Sequence, residues 1–137
     1  MIIEIIISEL DFYLIERVRE LRLKSNLSQV MLAHKLGVSE GYIGNIENPK
    51  QPAKYNIRML SRIAIALELE SYVDLFPSKP FSNDLVKIKI NLFDKGEIKK
   101  EEYQQGDVIE RFKKLSITPL SEKEILEYDK RRIKNKS

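Results

Sequence analysis

The sequence feature that most restricts the fold is a pair of short amphipathic segments joined by the turn Gly37-Val38-Ser39. Ser28 is a good N-cap for the first segment, and glycine at 37 readily takes the left-handed conformation that ends a helix. Ser39 is placed to cap the second segment, which Asn48-Pro49 ends because proline cannot continue a helix. We therefore expect two helices of about eight or nine residues, the second at about 39–48.

Longer amphipathic segments flank this pair. Leu14, Val18 and Leu21 recur at i, i+4 and i+7, which predicts a helix over 9–24 capped by Ser8. A second apolar stripe predicts a helix from 55 or 56 to 69. Its members are Ile57, Leu60, Ile63, Ala64 and Leu67.

Two helices joined by a short turn of this kind outline a helix-turn-helix. The sequence resembles the lambda-repressor and Cro type of helix-turn-helix, also called the Xre family, over roughly residues 10–76. The residues that carry the resemblance are Leu27-Ser28-Gln29, Leu32-Ala33, Leu36-Gly37-Val38-Ser39, Tyr42-Ile43, Ile46-Glu47-Asn48, Leu60, Ile63-Ala64, Leu67 and Leu75-Phe76. The last pair closes a fifth short helix capped by Ser71. The fold class implied is mainly α, a five-helix lambda-repressor-like domain at 8–76.

The resemblance also implies roles for particular residues. Gln29 corresponds to the glutamine that bonds a DNA backbone phosphate and braces the helix that reads the bases. Arg22 and Glu47 correspond to a structural ion pair between the first and third helices. Lys50 and Lys54 resemble basic residues that grip phosphates or approach the minor groove. The positions that face the major groove, with Tyr42 beside them, are Ser39, Glu40, Gly41 and Asn45.

The sequence departs from the family pattern around the third helix. Pro49 replaces the glycine that usually follows this helix. Gly41 and Gly44 each cost the helix about 1 kcal/mol relative to alanine, so we expect binding to order it. No arginine or lysine occupies a groove-facing position, and the common bidentate contact to guanine is therefore missing. Asn45 can instead pair with adenine, while Glu40 can accept from cytosine but repels nearby phosphates.

Charge is unevenly distributed along the 137 residues. Residues 1–76 hold nine lysines and arginines against ten acidic residues, a net of −1, whereas residues 77–137 hold fifteen against eleven, a net of +4. Counterion release on binding DNA would therefore depend on the basic C-terminal half or on local cations. The local cations are Lys35, Lys50, Lys54 and Arg58.

Composition excludes several chemistries. The absence of cysteine excludes disulfides and thiolate metal sites, and a single histidine leaves no histidine cluster for zinc. No glycine-rich phosphate loop and no catalytic constellation occur. We expect no enzyme activity, no cofactor, no metal and no membrane span, and a cytoplasmic location.

The second half predicts a separate unit. The prolines of Pro77-Ser78-Lys79-Pro80 indicate a linker at 77–84, followed by a small mixed α/β or helical extension at 85–137. Residues 86–92 alternate apolar and polar, favouring a strand, although a helical stripe is an alternative. A short helix is predicted at 107–115. Ser121 and Glu124 form a capping box for a last helix, whose basic end either follows phosphates or is a solvated helix terminus.

The isoleucine-rich start, residues 2–7, allows three interpretations. Five of these six residues are isoleucine. The segment is either a strand pairing with residues 86–92, a strand pairing with a second copy of the chain, or an early extension of the first helix.

These observations predict a sequence-specific DNA-binding regulator of transcription, a repressor that occupies an operator. Because one small helix-turn-helix reads about half a site, we expect a homodimer built through the isoleucine-rich start or the second half. The alternative is a protein-interaction module, an antitoxin-like accessory factor that uses the same fold to bind a partner protein.

Overall fold

The computed structural model describes residues 1–93 and 111–136, with side chains described as far as residue 131. Its elements are β1 (Ile2–Ser8), α1 (Glu9–Lys24), α2 (Gln29–Leu36), α3 (Tyr42–Glu47), α4 (Ile57–Ala66), a 3-10 helix (Tyr72–Asp74), β2 (Leu85–Leu92), β3 (Phe112–Pro119) and α5 (Glu122–Lys136). The predicted five-helix domain is present, with a single 3-10 turn as its fifth helix. The extension is mixed α/β.

Most helices of this domain have an N-cap residue whose side chain accepts a hydrogen bond from the first turn. The hydroxyl of Ser8 accepts from the backbone N–H of Asp11, and that of Ser28 accepts from Met31. Asn56 and Ser71 cap α4 and the 3-10 helix in the same way. Because each cap satisfies a donor that the helix leaves unpaired, its position sets where the helix begins. The predicted bounds of α1 and its Ser8 cap are confirmed.

The predicted cap of α3 is wrong. α3 has six residues, its N-cap is Gly41, and no side chain caps it. The carbonyl of Ser39 accepts from the N–H of Tyr42 at 3.0 Å, so Ser39 belongs to the turn that leads into the helix. The helix is consequently shorter than the eight or nine residues expected.

The stripe on α4 is confirmed except at one end. Leu60, Ile63 and Ala64 are buried, whereas Ile57 is 86% exposed. Ile57 lies in the first turn, rotated by about 60° from Leu60 toward the exposed Ile65. Ile57 therefore does not extend the buried stripe.

The isoleucine-rich start is a strand that pairs with the extension. β1, β2 and β3 form an antiparallel sheet in that order. Ile3, Ile5 and Ile7 lie opposite Ile90, Ile88 and Val86, on the same face of the sheet. The first of the three interpretations of residues 2–7 is thus confirmed, and so is the strand predicted at 86–92.

The prediction of a helix at 107–115 is wrong for the residues that the structure describes. Residues 112–115 belong to β3, and residues 107–110 lie outside the described residues. β3 pairs with β2 in a register that sets Leu115 opposite Ile90 and Ile117 opposite Ile88. Hydrogen bonding to a strand distant in sequence overrides the local helical pattern.

One core joins the sheet to the helices. Val86, Ile88 and Ile90 are fully buried and belong to the same apolar cluster as Val18 and Ile63. At the junction of β1 and α1, the N–H of Glu9 donates to the carbonyl of Asp84 at 2.8 Å. The sheet therefore packs one face against the helical domain.

The last helix begins at the predicted capping box. The hydroxyl of Ser121 accepts from the N–H of Glu124, whose carboxylate accepts from the N–H of Ser121. Glu124 also forms an ion pair with Lys87 of β2, which ties the start of α5 to the sheet. Across the part of the chain that the structure describes, no helix has the length and apolar character needed to span a membrane.

Candidate nucleic-acid interface

The surface at the start of α3 is open to solvent. We define the reading face as Ser39, Glu40, Gly41 and Asn45, all of which are exposed. Tyr42 is half-buried beside them, and its ring centroid lies 6.4 Å from that of Tyr55. The four groove-facing positions implied by the resemblance are thus brought together on one accessible surface.

A buried ion pair lies behind the reading face. The Nε and Nη2 atoms of Arg22 donate to the two carboxylate oxygens of Glu47 at 2.9 and 2.8 Å. Both side chains are almost fully buried, at 3% and 1% exposed. The third guanidinium nitrogen, Nη1, donates to the carbonyl of Leu27 at 2.8 Å. The bidentate pair connects the end of α3 to α1, and the bond to Leu27 connects both to the segment that precedes α2.

Gln29 adds a third connection to the same carboxylate. Its Nε2 donates to Oε1 of Glu47 at 3.0 Å, and its Oε1 lies so close to Gly44 that a Cβ at 44 would approach it to 2.9 Å. Glycine at 44 therefore permits the close approach of α2 to α3. Sequence reasoning noted the helical cost of this glycine but missed its packing role, which a glycine inside a short helix could have suggested.

Arg111, which precedes β3, reaches the end of α3 from outside the helical domain. Its Nη1 donates to the backbone carbonyl of Glu47, and its Nη2 pairs with Glu16 of α1. A cation at the last carbonyls of a helix is favourably placed with respect to the helix dipole. Nothing in the sequence pattern identified Arg111, because its partners lie 64 and 95 residues away.

Several charges share this buried region. Burial, with Arg111 as a second cause, lowers the pKa of Arg19 to about 10. Burial also raises the pKa of Tyr55 well above its usual range, with the Glu47 carboxylate contributing in the same direction. Charges held this far from water interact strongly, so the position of α3 depends on their pairing.

Basic side chains lie on the segments that precede and follow the reading face in the sequence. Lys50 is exposed, and Lys54 is partly exposed with its Nζ 3.9 Å from a carboxylate oxygen of Asp11. The Nε2 of His34 lies 3.2 Å from the carboxylate of Glu40. Lys35 and Arg58 are also exposed. The surface combines hydrogen-bonding groups on α3 with cations on the neighbouring segments.

The chemistry available here is hydrogen bonding and charge pairing. Within residues 1–93 and 111–131, the side chains form no group of three or more potential metal ligands. The exposed amide of Asn45 can donate and accept together, which is the pattern that base edges require.

The comparisons with known proteins bear on the same region. Residues 18–71 match a family model described as helix-turn-helix. No curated protein and no solved structure matches the chain significantly. The matched segment runs from α1 to the cap of the 3-10 helix and leaves out the sheet and α5. Over residues 18–71 the chain is therefore similar to the helix-turn-helix family of the lambda-repressor and Xre type, a family of DNA-binding domains that regulate transcription.

Proposed function

We propose that this chain is a sequence-specific repressor that inserts the reading face into the major groove of an operator. The observation that carries the proposal is the exposed reading face, held from behind by the buried pair of Arg22 and Glu47. A helix presented to the groove must keep a defined position, because base recognition depends on hydrogen-bond geometry.

The side chains of the reading face define the expected contacts. Asn45 pairs with an adenine through its amide, and Glu40 accepts from the amino group of a cytosine. The lack of a basic side chain on this face disfavours guanine contacts of the bidentate type. We therefore expect operator half-sites in which adenine is the base read most strongly.

Affinity in this proposal comes from contacts to phosphates. Gln29, Lys50 and Lys54 lie on α2 and on the segment that follows α3, where they bracket the reading face along the chain. Because the residues up to 76 carry a net charge of −1, counterion release from this domain depends on Lys50 and Lys54, together with Lys35 and Arg58. Gln29 is neutral and contributes a hydrogen bond only.

A homodimer completes the proposal. One short α3 contacts about half of a typical site, and two copies related by a two-fold axis would place their α3 helices about 34 Å apart, one turn of DNA. Linking the two half-sites raises affinity without any new base contact. We expect the selected operator to be a palindrome.

The test is selection of bound fragments from random DNA duplexes, followed by binding measurements at several salt concentrations. We expect Asn45→Ala to weaken operator binding by about 1–3 kcal/mol and to relax the preference at one base pair. Lys50→Ala should weaken binding to all sequences and reduce the salt slope by about 1. Lys79→Ala, in the exposed segment before β2, is the matched control.

Two results would contradict the proposal. One is that no duplex is enriched, and the other is that Gln29→Ala and Asn45→Ala bind the selected duplex as well as the natural chain. Either result would favour a partner protein as the occupant of the reading face.

A further inference from the structure

A half-open cavity of about 370 Å³ lies between the sheet and the end of α3. β1 and α1 form one side, and residues 48–54 form the other, with Arg111 and Tyr128 at its border. Its volume lies near the lower limit of clefts that hold small molecules. The cavity therefore suits a small ligand.

The inner wall of the cavity is apolar. Ile5 and Ile7 of β1, Phe12 and Ile15 of α1, and Ile46 of α3 contribute to it. Such a surface gains free energy when an aliphatic group replaces water against it. One part of the ligand is therefore hydrocarbon.

The polar side of the cavity favours an anion. The lining includes Arg111, Lys50 and Lys54, and the acidic member among the described lining residues is Glu47. The carboxylate of Glu47 already accepts from Arg22 and Gln29. Arg111 pairs with Glu16 and Lys54 lies 3.9 Å from Asp11, whereas Lys50 has no acidic partner among the described residues. The buried Arg19, whose pKa Arg111 helps to lower, adds a further positive charge to this region.

One hydrogen-bond donor of Arg111 has no acceptor among the described residues. Its Nη atoms are used by Glu47 and Glu16, but its Nε is buried and has no acceptor among the described residues. A buried donor without an acceptor costs free energy. Because Nε has almost no exposed surface, an incoming oxygen recovers this free energy when the guanidinium turns toward the cavity. A carboxylate is the acceptor that arginine prefers.

We infer that this cavity binds a small aliphatic carboxylate, with its chain against the isoleucine wall and its oxygens toward Arg111. Residues 48–54 form one wall and carry both Lys50 and Lys54. Occupancy therefore changes DNA affinity, and this second part of the inference rests on the proposed function.

Binding is tested first without DNA, with sodium octanoate as the probe. Isoleucine methyl signals of the full chain are followed by NMR as octanoate is added. We expect saturable shifts at Ile5, Ile7 and Ile46. The neutral analogue 1-octanol should bind about tenfold more weakly, since it lacks the charge-assisted bond to Arg111. Equal binding of octanol, or octanoate shifts that do not saturate, would overturn the inference.

Two variants locate the site. Ala53→Phe places a ring in the cavity and should abolish octanoate binding, whereas Arg111→Gln should weaken it about tenfold. Arg131→Gln, on the exposed surface of α5, is the matched control and should bind normally. If octanoate binds Ala53→Phe as it binds the natural chain, the cavity is not the site. The comparison of octanoate with octanol needs no variant, so it decides the question even if one variant fails to fold.

The regulatory part is tested by measuring affinity for the selected operator with and without saturating octanoate. A change of threefold or more in the natural chain, absent in Ala53→Phe, supports it, and an unchanged affinity overturns it. Failure of the chain to bind any DNA would overturn the proposed function while leaving the octanoate titration, done without DNA, as it stands.

Discussion

Among single residues, Glu47 does most to hold α3 in position. Its side chain is 1% exposed, and its carboxylate accepts hydrogen bonds from Arg22 and Gln29 while its backbone carbonyl accepts from Arg111. Four segments of the chain thus meet at one residue. A carboxylate taken this far from water is stable only because its partners replace the lost hydration.

Removing this carboxylate should be strongly destabilising. We expect Glu47→Ala to lower the free energy of unfolding by about 3–5 kcal/mol, because the buried Arg22 loses its counter-charge. Urea unfolding measures the loss, and the double variant Arg22→Met/Glu47→Leu should recover part of it. The control is Lys24→Ala, whose exposed pair with Glu20 should contribute less than about 0.5 kcal/mol. A loss from Glu47→Ala no larger than that of the control would refute the role of the pair.

At position 44, the neighbouring side chain of Gln29 leaves no room for a Cβ atom. Alanine at 44 would favour the helix by about 1 kcal/mol. Its Cβ, however, would meet Oε1 of Gln29 at 2.9 Å, so the amide must rotate away and its bond to Glu47 is lost. The two effects nearly cancel in the natural chain.

A double-mutant cycle separates these effects. In a Gln29→Ala background the clash is absent, so Gly44→Ala should raise the free energy of unfolding by about 1 kcal/mol. In the natural chain the gain should be smaller by about the value of the lost hydrogen bond, ~1 kcal/mol. The same gain in both backgrounds would show that Gln29 and Gly44 are not coupled.

Among the elements, α5 is connected to the sheet by polar contacts in its first turn. Glu124 accepts from Ser121 and pairs with Lys87 of β2, while Ile125 and Leu126 remain exposed. The hydrogen bond from Lys87, followed by the backbone N–H of Ser121, lowers the pKa of Glu124 from 4.5 to about 2. Only the ionised carboxylate makes the pair with Lys87.

This pKa predicts a loss of stability in acid. Because the pKa of Glu124 in the folded chain is below its ordinary value, its contribution is complete above pH 4.5 and disappears as the pH falls toward 2. Glu124→Gln should therefore unfold at lower urea than the natural chain at pH 7, and the difference should shrink at pH 3. Glu122→Gln, an exposed neighbour, is the control. A difference that is equal at both pH values would be inconsistent with this pKa.

In the whole molecule, the start of the chain and the extension meet in one sheet. β1 pairs with β2 along its full length, and the buried face of β2 belongs to the same core as the four α-helices of the N-terminal half. Arg111 adds a polar connection from the sheet to α1 and α3. The helix-turn-helix domain is therefore not packed independently of the sheet.

This arrangement predicts cooperative unfolding. Ile63 of α4 and Ile88 of β2 are both fully buried in the common core, so we expect their NMR methyl signals to disappear at the same urea concentration. Loss of the Ile88 signal at clearly lower urea than the Ile63 signal would mean that the sheet unfolds as a separate unit.

Local chemistry explains the parts of the fold that were predictable. Ser8, Ser28, Ser71 and Ser121 cap helices as expected, because a cap and the N–H it satisfies lie within three residues of each other. The short reach of a capping side chain also explains why the prediction that Ser39 caps α3 was wrong. The turn of residues 40 and 41 moved the start of α3 beyond the reach of that hydroxyl.

The amino-acid sequence by itself determined the helices of the N-terminal half, the strand at 86–92 and the helix-turn-helix resemblance, since periodicity and capping act over a few residues. Only the tertiary structure decided that residues 2–8 complete a sheet with a strand about 80 residues later. It alone placed Arg111 at the end of α3 and opened the cavity beside it. The physical reason is that strand pairing and buried charges are satisfied by partners distant in sequence, which no local pattern specifies.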